Sequence, residues 1–237
     1  MVTIAVIGLG SFGCRVVEEL EQSDADVIII DKDRDIIEKY KSSIHYAYIT
    51  DAINEASLKK ILPDDLHAAV VDLGSQLETS ILVTNHLHKM GVKHIVVKAR
   101  SDEHGEILKL IGATDIVYPD LDAALHITPM LISSALFNYV QVSQNFALAE
   151  VSVRDDLIGR SLSESNLRQK YELNLVAVRN SVDADFTFVS SPSLKLEGDM
   201  ILLVAGTNEA LQGYASHTDD EEKNVRNAKF FAHLFKR

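Results

Sequence analysis

Residues 4–31 read IAVIGLGSFGCRVVEELEQSDADVIIID. Two β-branched runs enclose a glycine-punctuated turn and a helical pattern, which predicts strand, turn, helix, strand. Gly8, Gly10 and Gly13 stand in G-x-G-x-x-G order directly after the first strand and at the opening of the helix. In that setting the first glycine permits a tight turn and the second lets the backbone approach a pyrophosphate. The third lets helix and strand pack closely. Ser11 and Phe12 complete the turn, where free amides and the partial positive charge of a helix amino end suit an anion. Asp31 closes the second strand 18 positions beyond Gly13, near the spacing of about 20 at which a carboxylate reaches ribose hydroxyls. The same carboxylate repels a 2′-phosphate, so NADP is disfavoured.

The alternation continues outward from this unit. TIAVIG (3–8), ADVIIID (25–31), IHYAYI (44–49), HAAVVDL (67–73), KHIVVKA (93–99) and TDIVYP (114–119) are short apolar runs separated by helical patterns. Strands that read as nearly continuous apolar residues are buried on both faces. The arrangement predicted for residues 1–120 is therefore α/β, a Rossmann-like doubly wound parallel sheet. Residues 119–140, PDLDAALHITPMLISSALFNYV, are apolar around most of a helical circumference. They predict a crossover or subunit-contact helix over 121–142, kinked or restarted at Pro129. Residues 143–211 carry FALAEVSV, LNLVAVR, DFTFVS and DMILLVAG around one polar helix, SLSESNLRQKY, and predict a smaller α+β domain. Thr218 and Glu221 take the spacing of a capping box in the 212–237 tail, whose basic end matches a helix dipole.

The chain has 237 residues, 46% of them hydrophobic and 24% charged, with a net charge of −12. That balance predicts an ordered protein of two domains. The negative charge disfavours a broad grip on nucleic acid or anionic lipid. No apolar run reaches the roughly 18 residues of a membrane span and no charged leader precedes the first strand, so the expected location is cytoplasmic. Cys14 has no partner for an internal disulfide and reads as a helix residue facing the core.

Further ligand contacts are expected at the carboxyl ends of later strands, where the crevice of a doubly wound sheet opens. Asp51 follows strand three and suits an adenine amino group, a ribose hydroxyl or a helix cap. Asp72 and Gly74 follow strand four, and Lys98 and Arg100 follow strand five. Lys98 faces either phosphate or solvent. His86 and His88 are two apart on a helix and so point about 200° apart, which is poor geometry for chelation. Asp120 and Asp122 suit either a phosphate-bound Mg²⁺ or a helix cap.

The ordered set of TDA (50–52), VVDLG (70–74), VVKAR (96–100) and GATDIVYPD (112–120), added to the glycine turn and Asp31, resembles the RCK domain of bacterial potassium-uptake systems. DLIGRSLSESNLRQKY (156–171) and LEGDMILLVAG (196–206) resemble the accompanying RCK carboxyl-terminal domain, and the likeness spans residues 2–211. It implies a cytosolic regulatory subunit of the Ktr/Trk type. Such subunits pair, assemble commonly as octameric rings, and gate a separate potassium-translocating membrane subunit. It also implies ATP, ADP or NAD(H) in the amino-terminal domain and Mg²⁺ near Asp120. Cyclic di-AMP is implied at the carboxyl-terminal domain, near Arg168, Asn174 and Pro192. Members of this family often carry Arg where this chain has Ser11, and Glu where it has Asp120. Ser11 supplies a hydroxyl without charge to a terminal phosphate.

The alternative is an NAD-dependent oxidoreductase. Such an enzyme needs a proton donor and a substrate pocket beside the nicotinamide, and the second module shows no cluster of His, Lys and acids. The mechanism expected for the regulatory reading is that phosphates order the Gly8–Gly13 turn while Asp31 fixes the ribose. A ligand that favours one state then shifts the angle between paired subunits.

Overall fold

A computed structural model describes residues 2–74, 76–133, 135–189 and 191–215. The expected terminal helix, with Thr218 and Glu221 at its start, lies outside the described residues. The chain divides into two compact units, Met1–Asp120 and Leu121–Arg237.

The first unit runs β1 (Thr3–Ile7), α1 (Ser11–Leu20), β2 (Asp26–Asp31), α2 (Arg34–Tyr40), β3 (Tyr46–Ile49), α3 (Glu55–Ile61), β4 (Ala68–Val71), α4 (Leu77–Lys89), β5 (His94–Lys98), α5 (Asp102–Leu110) and β6 (Asp115–Val117). Its strands form one parallel sheet in the order β3-β2-β1-β4-β5-β6. The β-branched runs supply both faces because successive side chains on a strand point to opposite sides. Ala5, Ile7, Ile28, Ile30, Ala69 and Val71 pack with Leu58, Val83, Leu87 and Leu108 of α3, α4 and α5. Their neighbours Val6, Val27, Ile29 and Val70 pack with Val17 and Ile37 of α1 and α2 on the other face. Asp33, Asn54 and Ser101 cap α2, α3 and α5 by accepting first-turn amides, so each helix starts where its strand-to-helix loop provides a short polar side chain. The sheet order reverses between β1 and β4. This switch point opens a crevice at the carboxyl ends of those two strands.

The second unit contains α6 (Pro119–Ile132), β7 (Leu136–Ser143), β8 (Phe146–Ser152), a 3₁₀ turn (Asp155–Leu157), α7 (Leu162–Ser165), α8 (Leu167–Lys170), β9 (Asn174–Arg179), β10 (Thr187–Phe188), β11 (Ile201–Thr207) and α9 (Asn208–Ala215). Its sheet is antiparallel, ordered β10-β9-β11-β8-β7. Leu157, Leu173, Leu196, Leu202, Val204 and Tyr214 form the centre of its core.

Three expectations are corrected here. The helix predicted over 121–142 stops at Ile132, and Leu136–Ser143 pairs with β8 as a strand. LFNYVQVS buries Leu136 and Tyr139 and shifts register twice against β8, and α6 carries Pro129 within its length without breaking there. The single polar helix SLSESNLRQKY is two short helices, because Asn166 adopts a left-handed conformation (φ 49°) between them. The boundary at 211 falls inside α9, whose Leu211, Tyr214 and Ala215 belong to the core of the module.

Candidate nucleotide site

The glycine turn sits at the switch point. Gly8 has φ +85°, and a Cβ there would lie 2.1 Å from the carbonyl oxygen of Asp72, so only glycine fits between β1 and β4. A Cβ on Gly13 would lie 2.3 Å from the Gly8 carbonyl oxygen, the mark of close packing between α1 and the turn.

Asp31, at the end of β2, reaches back to this turn. Its Oδ2 accepts from the Leu9 amide at 2.6 Å and its Oδ1 from the Asp33 amide at 2.8 Å. An ionised carboxylate offers about four lone-pair sites. Asp31 therefore pins the turn with two of these sites and leaves the other two for further donors. It stands on a cleft of about 300 Å³ lined by Gly8, Leu9, Gly10, Thr50, Asp51 and Gly74 among others. Asp51 turns its Oδ1 onto the Ile53 amide at 3.1 Å, while Asn54, not Asp51, caps α3. Ser11 and Phe12 open α1 beside this cleft without lining it.

The residue whose part the sequence left undecided is Asp72. Its side chain is fully buried, and its Oδ2 accepts from the amides of Phe12 at 3.1 Å and Gly13 at 2.9 Å. Its Oδ1 accepts from the Gly74 amide at 3.4 Å and lies 3.7 Å from Lys98 Nζ. A Cβ on Gly10 would come within 2.4 Å of Asp72 Oδ2. The space that the second glycine keeps open is thus filled by an internal carboxylate. Asp31 and Asp72 both hold the turn through its amides, and Lys98 faces Asp72 rather than solvent. The one signal in the sequence was a carboxylate ending the apolar run HAAVVDL.

The other candidates separate. His86 Nδ1 is 3.3 Å from Glu55 Oε2, whereas the ring of His88 packs where Gly112 lacks a side chain. Asp120 lies in the first turn of α6, and among the described residues no three His, Cys, Asp or Glu side chains converge as metal ligands. Cys14 Sγ donates to the Leu9 carbonyl at 3.2 Å from a half-buried position. Arg100 contributes its amide to buried His104, at 3.3 Å from Nδ1. With Nδ1 accepting, Nε2 carries the proton toward Ser80 Oγ, 2.9 Å away, and that hydroxyl donates to the Leu77 carbonyl. Burial, with the Arg100 charge second, pushes the His104 pKa down. This Ser-His pair is accordingly a neutral packing contact and not a nucleophile with its base.

In the second unit Arg168 and Asn174 line one groove with Ser163, Asn166 and Gln169. The Pro192 carbonyl accepts from the Ser163 amide at 3.0 Å.

A parallel sheet in this order, with a glycine turn held to the aspartate that ends β2, defines a Rossmann-type nucleotide-binding domain, here followed by an antiparallel α+β module. Residues 4–119 match the TrkA-N domain and residues 148–216 the TrkA-C domain. The chain is 32% identical over 203 residues to Ktr system potassium uptake protein C of Bacillus subtilis (strain 168), covering 86% of this chain and 91% of that protein. It is 28% identical over 179 residues to Ktr system potassium uptake protein A of the same organism, covering 76% and 81%. This chain belongs to the Ktr family of potassium uptake proteins that carry TrkA-N and TrkA-C domains. Among solved structures, the GsuK channel shares the fold with a TM-score of 0.64 at 16% identity, covering 100% of this chain and 45% of that one. The GsuK channel bound to NAD superposes with a TM-score of 0.63 at 17% identity, covering 100% and 45%. The chain thus spans about half the length of these channel chains. No helix among its described residues is long and apolar enough to cross a membrane.

Proposed function

We propose that this chain is a regulatory subunit that binds an adenine nucleotide or NAD(H) in the cleft between β1, β2 and β4 and gates a separate potassium-translocating membrane subunit. The observation that carries the reading is Asp31, whose carboxylate holds the Leu9 amide at 2.6 Å on the edge of the cleft. The ribose diol would donate to its two remaining acceptor positions, with Asp51 or Thr50 meeting the base or sugar. Match over most of both chains to two Ktr potassium uptake proteins supports the transport role. A ligand with differential affinity for two arrangements of paired subunits would move the population between them.

Several features support the wider assembly. In the second unit α6 exposes Ile127 and Leu131 and β7 exposes Val140 and Val142, apolar side chains that suit pairing of copies and a ring such as an octamer. In this reading the ring sits at the cytoplasmic face of the membrane partner. The groove of Arg168 and Asn174 would hold cyclic di-AMP. Among the described residues, the titratable side chains lining the nucleotide cleft are Asp31, Lys32, Asp33, Asp51 and Asp72, a set that supports binding more than dehydrogenase chemistry.

Calorimetric titration with ADP and NADH tests the site. Saturable binding that is lost in folded Asp31→Ala supports it, and unchanged affinity in that variant refutes it. Reproducible turnover of NADH with a panel of metabolites would establish the oxidoreductase alternative instead.

A further inference from the structure

We propose that Asp72 is an internal anion held where a bound nucleotide would place its diphosphate, so that the cleft recognises its ligand through the nucleoside and gains little from phosphate. This inference rests on the nucleotide reading and specifies its ligand chemistry. In a glycine-turn site the diphosphate is gripped by first-turn amides of the following helix, reached over the second glycine. Here the amides of Phe12 and Gly13 donate to Asp72 Oδ2 at 3.1 and 2.9 Å. The space above Gly10 is occupied by the same atom, 2.4 Å from where a Cβ would stand. The next amide, of Cys14, closes the helix onto the Gly10 carbonyl at 2.9 Å.

Charge points the same way. Lys98, the cation beside the turn, lies 3.7 Å from Asp72 Oδ1 and is committed to it. The cleft is lined by Asp31, Asp33, Asp51 and Asp72 against Lys32. A diphosphate entering this rim meets four carboxylates, and like charges brought together across an interface cost affinity. It must also displace a buried carboxylate from its hydrogen bonds before it can use the amides. A nucleoside has no such competitor, because Asp31 accepts its diol without losing the Leu9 amide.

The test is calorimetric titration of the full chain, wild type and Asp72→Asn, with adenosine, ADP and NADH. Asn preserves the shape and one acceptor oxygen while removing the charge. For wild type the expected dissociation constants of adenosine and ADP agree within about threefold, and Asp72→Asn tightens ADP and NADH by about tenfold or more, equivalent to about 1.4 kcal/mol or more. Adenosine binding stays within about threefold in the variant. Wild type preferring ADP to adenosine a hundredfold overturns the inference, as does a cooperatively melting Asp72→Asn with ADP affinity unchanged. If the variant does not fold, the wild-type comparison decides alone. Binding that depends on Asp31 but ignores Asp72 leaves the nucleotide reading standing and sinks this one. No binding of any of the three ligands to either protein overturns both.

Discussion

Asp31→Ala separates what the carboxylate does for the fold from what it does for a ligand. In the folded chain it accepts two backbone amides, Leu9 at 2.6 Å and Asp33 at 2.8 Å. Hydrogen bonds to charged groups contribute about 1.5–3 kcal/mol each, but the Asp33 amide is solvent-exposed. Removing the carboxylate is therefore expected to lower unfolding stability by about 2 kcal/mol, most of it from the Leu9 bond. A ribose diol adds two further bonds to the same charge. At the lower end of the same range their loss amounts to about 3 kcal/mol, or roughly two decades in dissociation constant. Asp31→Asn keeps one acceptor oxygen and should lose about one decade. The assay is calorimetric titration with adenosine and NADH beside thermal melts of the three proteins. A second readout is discrimination: wild type should reject NADPH relative to NADH, and the alanine variant should lose that preference along with its affinity. Melts that fall as expected with no change in either ligand's affinity would refute the ribose assignment while leaving the structural role intact.

Gly10→Ala places a methyl group 2.4 Å from Asp72 Oδ2, and relief of that overlap should cost about 1–3 kcal/mol in a denaturant melt. The same change at exposed Gly213, where no neighbour lies within 4 Å, should be stabilising or neutral because it sits in a helix. Leu202 is fully buried in the second sheet, and Leu202→Ala should cost about 2–5 kcal/mol by chemical denaturation. Asp156 supplies a pH dependence. Partial burial alone would raise its carboxyl pKa, but Arg154 Nε at 2.8 Å, Lys170 Nζ at 3.0 Å and the Tyr171 hydroxyl at 3.0 Å hold it well below the usual carboxylate range. A depressed folded pKa gives stability that is complete above the unfolded value of about 3.9 and fades as pH falls below it. With its side chain 38% exposed, the contribution is discounted to about 1 kcal/mol. The stability gap between wild type and Asp156→Asn should be steady at neutral pH and close below about pH 4, and a gap constant down to pH 2 would contradict the assignment.

The parallel sheet was legible because two-sided burial leaves a direct trace: runs such as VIII and AAVV are apolar at every position. The second unit was less so. LFNYVQVS follows a long apolar helix without a strong stop signal, and its identity as β7 depends on pairing with β8, a contact that local pattern does not encode. The break at Asn166 depends on one residue taking a left-handed conformation that asparagine tolerates. At the site, Gly8, Gly10, Gly13 and Asp31 were readable from spacing alone, since the motif is local. The role of Asp72 was not, because its bonds to Phe12 and Gly13 join residues 59 and 60 positions apart. A buried carboxylate at a strand end announces only that something must satisfy it. Which amides do so is decided by tertiary structure.

The measurement that bears most directly on the account is a crystal structure of the full chain grown with saturating adenosine or NADH. The expected result places the ribose diol oxygens within about 2.5–3 Å of the Asp31 carboxylate, in the cleft beside Gly8 and Gly74. A ligand seated elsewhere, or an empty cleft at concentrations that saturate the protein in solution, would contradict it.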